Sequence, residues 1–145
     1  MATLFPVIPS DIPAQAAENI GRVPAFDAER QRFLLVDGAL QERNGRDAVQ
    51  QWFDLMLRQQ IDRVPIYRTG GEIKLGIDRG LIGSHLPSGM AAAEIERNVR
   101  ETASFCPAVR AIRDIKVSRS GRACVVEFTA VLHDGESVEV KTDVQ

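Results

Sequence analysis

Between Ala123 and Leu132 the side chains alternate strictly. Cys124, Val126, Phe128, Ala130 and Leu132 fall on one side, and Val125, Glu127, Thr129 and Val131 on the other. A period of two belongs to extended backbone, and a wholly apolar side demands a covering layer. His133-Asp134-Gly135-Glu136 follows, with an Asp-Gly pair suited to the positive φ angles of a tight hairpin turn. Ser137 to Val144 then alternates again, Val138, Val140, Thr142 and Val144 against Ser137, Glu139, Lys141 and Asp143. Upstream, residues 109–118 place Ile112, Ile115 and Val117 among Arg110, Arg113 and Lys116 in a less regular order, which predicts a bulge or a late start. Gly121 serves the turn between the first two runs. The three runs predict an antiparallel meander. Its last member is charged on one face, apolar on the other and followed by no covering element, so it is expected to be an edge strand. Such an edge accepts a strand of another chain through backbone hydrogen bonds.

Two helical patterns upstream can cover the apolar face. Asn44 offers an N-cap and Asp47 an acid in the first turn of a helix predicted over 45–61. Val49, Trp52, Phe53, Met56 and Gln60 or Ile61 form its inner line, with Arg46, Gln50, Asp54 and Arg58 outside. Ser88 caps a second helix over 89–105, lined by Ala91, Ile95, Val99 and Thr102, with Glu94, Arg97 and Glu101 outside and Pro107 as its stop. The connection over 69–83 is rich in glycine but lacks the Gly-Lys-Ser/Thr ending of a phosphate loop. Residues 32–36 form a short strand closed by Asp37-Gly38. Residues 1–31, with Pro6, Pro9, Pro13 and Pro24, read as an extended arm. The fold class is therefore α+β: an arm over 1–31, then one domain over 32–145 with two helices on one side of a small, mainly antiparallel sheet.

At 145 residues there is room for one core. The net charge of −2 gives no global basic field for nucleic acid, although residues 97–122 form a local basic block that a nucleic-acid-binding module could use. Cys106 and Cys124 have no CxxC spacing and read as small buried hydrophobes in a reducing compartment. The first residues lack the pattern of a signal peptide and no run reaches membrane length, so the chain is expected in the cytosol. His85 and His133 have no ligand-spaced partners, so neither a metal nor another cofactor is expected. Glu72 and Asp78 are the one carboxylate pair that a glycosidase reading, here a peptidoglycan hydrolase, could use. They are more simply turn charges, and no catalytic residue is assigned.

The passages Gly45–Trp52, Arg63–Gly71 and Cys106–Arg110, together with the closing strands that end at Val144, resemble the sheath-initiator or baseplate-wedge family of contractile phage tails. Gly45-Arg46-Asp47-Ala48-Val49-Gln50-Gln51-Trp52 is similar to the opening of that family's first helix. Arg63-Val64-Pro65-Ile66-Tyr67-Arg68 with Gly70 and Gly71 looks like its arginine, extended aromatic, glycine passage. Cys106-Pro107-Ala108-Val109-Arg110 stands where the family has Glu-Pro-Arg, with Cys106 in place of the acid and Arg110 two residues late, and the closing strands look like the family's terminal hairpin. The resemblance spans residues 33–144 and implies a virion structural protein rather than an enzyme. Its place would be the tail baseplate, assembled in the host cytoplasm. The implied partners are the tail sheath protein, baseplate wedge proteins and the tail tube, with several copies in a ring and neither membrane nor nucleic acid bound. Val138, Val140, Thr142 and Val144 would then carry strand addition to the sheath, and Pro107 and Arg110 would belong to the proline-motif interface.

Overall fold

A computed structural model of the chain describes residues 19–61, 63, 75–82, 88–120 and 123–144. Its elements are β1 (Val23–Pro24), β2 (Phe26–Asp27), β3 (Arg32–Phe33), β4 (Leu35–Val36), β5 (Ala39–Leu40), β6 (Glu42–Arg43), α1 (Gly45–Leu57), a 3₁₀ turn (Arg79–Leu81), α2 (Ser88–Ala103), β7 (Val109–Ser120), β8 (Ala123–Leu132) and β9 (Ser137–Val144). The fold is α+β, and its C-terminal meander is an antiparallel sheet in the order β7-β8-β9.

β8 is the central strand, and its alternate residues are buried in the order the sequence pattern predicts. β9 pairs with it without interruption from Cys124↔Val144 to Val131↔Ser137. β7 is irregular, as its sequence implies. Its register with β8 shifts between Val109 and Ala111 and again between Arg113 and Lys116, where Asp114 takes φ 55°. The hairpin joining β8 to β9 is tight, and of the Asp134-Gly135 pair it is Gly135 that takes a positive φ, 89°. The Gly135 amide donates to the Leu132 carbonyl and the Leu132 amide to the Glu136 carbonyl, which makes a three-residue loop over 133–135. The physical reason lies in parity. Both strands carry their apolar residues at even numbers, so cross-strand partners must sum to an even number, and only an odd loop permits that.

α1 lies against β9 and α2 against β7, both on the apolar face. Val49, Phe53 and Leu57 of α1 meet Ile95, Val99 and Ala103 of α2 over Val126, Phe128, Val138 and Val140. The rings of Phe53 and Phe128 cross edge-to-face with centroids 5.0 Å apart. Each large side chain buried here contributes about 1.5–3 kcal/mol by leaving water. Both cysteines are free and buried in this core, and burial pushes their thiols up from the usual value.

α1 stops at Leu57 rather than running to 61. Its continuation is drawn into other bonds. The Gln59 carbonyl accepts the Ile77 amide, Gln60 forms a parallel bridge with Ile77, and the Gln60 side chain accepts the Arg79 amide at 2.9 Å. Gly76 is what brings the connector this close. A Cβ there would stand 2.5 Å from the Gln59 carbonyl oxygen, and its φ is +105°. Asn44 precedes α1 in extended conformation, but its side chain makes no capping bond. α2 matches its expected inner line, with Ala91, Ile95, Val99 and Thr102 buried, and ends at Ala103, before the expected 105.

The expected strand over 32–36 does not join the main sheet. It is split at Leu34, and residues 23–43 form three two-residue pairs: β1 with β6, β2 with β3, and β4 with β5. They meet at a three-way junction in which Leu34 donates to the Ala25 carbonyl, while Ala25 and Leu34 share Gln41 through bonds of 2.8 and 2.9 Å. Asp37 and Gly38 at the tip of β4-β5 both have positive φ, 51° and 79°, the signature of a type I′ hairpin. Residues 23–27 thus pair across the boundary drawn at 31/32 between arm and domain. Residues 1–18 of the arm lie outside the described residues.

Candidate functional site

A three-stranded sheet has two outer strands, and here they differ. Along β7 the two register shifts break the row of backbone groups, which is one way an edge is made unfit for pairing. β9 is regular over its eight residues, and among the described residues no strand pairs with its other side. In an antiparallel ladder the backbone groups of successive residues point alternately toward and away from the partner. The Leu132 amide bonds Glu136, so residues 138, 140, 142 and 144 turn their amides and carbonyls toward β8. Those of Ser137, Glu139, Lys141 and Asp143 face the open side, and these four residues are exposed.

Val138, Val140, Thr142 and Val144, the four residues expected to carry strand addition, have their side chains in the core. The Thr142 hydroxyl donates to Asp54 Oδ1 at 2.8 Å, which ties β9 to α1. Their part in any edge contact is to anchor β9 to the core. The groups that can meet a new strand are those of the intervening residues. The parity of the hairpin fixes which residues share a face but not which backbone groups turn outward, so the sequence held no signal for them.

The outer face of the sheet carries charge in cross-strand rows. Lys116, Glu127 and Lys141 stand opposite one another on β7, β8 and β9. Lys141 Nζ lies 2.7 Å from Glu127 Oε1. That hydrogen bond holds the Glu127 carboxyl below its usual range and raises the Lys141 ammonium above its own. On the helix side of the same edge, Asn44, Arg46, Asp47 and Gln50 of the α1 entrance face Glu136, Ser137 and Glu139 across a polar groove of about 520 Å³, with Arg46 paired to Glu136 at 3.9 Å.

Pro107 is exposed in the turn after α2, and Arg110 is exposed on β7, where it makes no ion pair among the described residues. The basic block over 97–122 is divided between two elements. On α2, Arg97 pairs with Glu94 and Glu101, and Arg100 with Glu96, while Arg113 and Lys116 stand on the outer sheet face beside Thr129 and Glu127. Glu72, His85 and the turn residue Gly121 lie outside the described residues. Asp78 starts the 3₁₀ turn, accepting the Gly80 amide at 3.0 Å and the Gln60 amide group at 3.3 Å. Among the described residues no three His, Cys, Asp or Glu side chains are grouped to hold a metal ion, and no helix is long and apolar enough to cross a membrane.

Gln51 has a role that its sequence position alone does not reveal. Its side chain is buried on α1, accepting the Phe26 amide at 2.8 Å and donating to the Pro24 carbonyl at 2.8 Å. The amide group thus acts as a one-residue strand that fastens the N-terminal hairpins to the helix. Beside it, Ala48, Trp52 and Leu55 line an apolar groove of about 420 Å³ with Ile20, Val23, Phe26 and Phe33. The spacing 48, 51, 52, 55 is a second helical stripe, and it is the signal in the sequence for this contact.

No protein-family model and no curated protein matches this sequence.

Proposed function

We propose that the chain is a structural assembly protein of a contractile tail baseplate, which joins wedge proteins beside the tube and starts sheath polymerisation by offering β9 to a strand of the first sheath subunit. The observation that carries this reading is the contrast between the two outer strands: β7 is bulged, and β9 is regular and, among the described residues, unpaired on its outer side. A bulge is one way natural sheets interrupt an edge that has no partner; β7 carries such interruptions and β9 carries none, which favours strand addition as the use of β9. The resemblance of the helix opening and terminal hairpin to the sheath-initiator family supports the identity of that partner.

Removing β9 would strip Val138, Val140, Thr142 and Val144 from the core, so the test must alter the edge alone. Glu139→Pro does this. The Glu139 amide faces the open side, so proline costs no bond to β8 but withdraws a donor and adds bulk where the new strand would lie. Tails assembled with this variant are expected to have tubes and baseplates without sheath. Fully sheathed tails in electron micrographs would overturn the reading.

A further inference from the structure

We infer that the free chain closes its own β9 edge by antiparallel pairing with β9 of a second copy, in one register centred on Val140. This pairing uses the same edge as the proposed function but does not depend on what the edge later receives.

The backbone groups available are those of Ser137, Glu139, Lys141 and Asp143. In an antiparallel pair of two identical strands these four must face each other, so the sum of opposed residue numbers is even, and each register has its own charge pairing. With a sum of 280 all four are used. Ser137 opposes Asp143 of the second copy, and Glu139 opposes Lys141 twice, once on each side of the two-fold axis. With a sum of 278 Glu139 meets Glu139, and with 282 Lys141 meets Lys141 while Glu139 meets Asp143. Like charges directly opposite destabilise a pair, so both neighbouring slips are disfavoured. A sum of 284 opposes Lys141 to Asp143 but uses only half of the strand. The alternating charges of β9 are therefore self-complementary in the register of greatest overlap.

The surroundings are consistent with this pairing. Directly opposed residues of neighbouring strands share a face, so both copies keep their helices on one side and their charged faces on the other. Lys141 already bonds Glu127 at 2.7 Å, and an ammonium has three donors, so Glu139 of the second copy can join as its second acceptor. The polar groove between the α1 entrance and Ser137 leaves the edge accessible from the helix side. Pairing a self-complementary patch about a two-fold axis is the commonest form of homodimer. It would also shield the edge until a sheath strand displaces the second copy.

Sedimentation velocity on the full chain over a concentration series is the test. The wild type is expected to dimerise. Glu139→Lys and Lys141→Glu alone should each weaken the dimer roughly tenfold or more by replacing two attractions with two repulsions. An equimolar mixture of the two variants should restore it, because both edge lysines of the first variant then oppose both edge glutamates of the second. Hydrogen exchange supplies an independent readout: dimerisation should protect the amides of Ser137, Glu139, Lys141 and Asp143, for which no described residue supplies an acceptor. A wild type that stays monomeric throughout, a dimer indifferent to both reversals, or a dimer with those four amides unprotected would overturn the inference. A monomer with sheathless Glu139→Pro tails would overturn it while leaving the proposed function standing.

Discussion

In the C-terminal sheet every second side chain of β8 and β9 is buried against two helices, whereas in the N-terminal hairpins the paired strands are two residues long and Phe33, Leu35, Val36 and Leu40 remain 53–61% exposed. Both regions are made of short alternating runs with a turn signal between them. The difference lies in length and in cover. Strands of eight to twelve residues present a face broad enough for α1 and α2 to seal, and water leaves it. Two-residue pairs have no such face. They are held by the backbone bonds among Ala25, Leu34 and Gln41 and by the Gln51 side chain. Turn chemistry helps locally, as at Asp27, whose carboxylate accepts the Arg30 and Glu29 amides and is thereby held below its usual pKa.

This contrast predicts two levels of stability in one chain. Phe53→Ala tests the upper level. Phe53 is fully buried between Trp52 and Phe128, so truncation should cost about 3–5 kcal/mol and lower the thermal midpoint of the whole molecule. A loss confined to the N-terminal hairpins would contradict the placement of the core. Gln51→Ala tests the lower level and should act locally. It leaves the Phe26 amide and Pro24 carbonyl without their partner, a loss of about 1–3 kcal/mol. Amides of residues 23–43 should exchange faster while those of β8 keep their protection. Equal loss in β8 would mean that the two regions open as one unit.

The smallest effect is expected on the outer sheet face. Glu127→Gln removes an exposed ion pair with Lys141, worth little in salt, so its signature is a pH profile rather than a large shift. The Glu127 pKa is depressed below 4.5 by the Lys141 bond, so its contribution is complete above 4.5 and disappears as pH falls through the lower folded value. The Lys141 pKa is raised above 10.5, so its contribution is complete below 10.5 and disappears as pH rises through the higher folded value. Thermal midpoints of wild type and variant should differ at neutral pH and converge at both extremes. A gap that stays constant with pH would assign the difference to packing instead.

The sequence by itself determined the meander, the irregularity of β7 and the inner line of α2, because each is a local periodicity matched to a single buried face. The Asp37-Gly38 turn was legible for the same kind of reason, since a specific dipeptide suits positive φ. The length of α1 was not legible, because what ends it is a set of bonds from Ile77 and Arg79, about twenty positions away. The fate of residues 32–36 was also decided in three dimensions. Whether an extended run joins the main sheet depends on partners such as Ala25 and Gln41, which compete for the same backbone groups. The open edge is the mixed case. The alternation marked β9 as an outer strand, but it drew attention to Val138, Val140, Thr142 and Val144, whose side chains are buried. The pairing groups of Ser137, Glu139, Lys141 and Asp143 emerged only from the hairpin register, because the direction of a backbone amide is set by the strand beside it rather than by its own side chain.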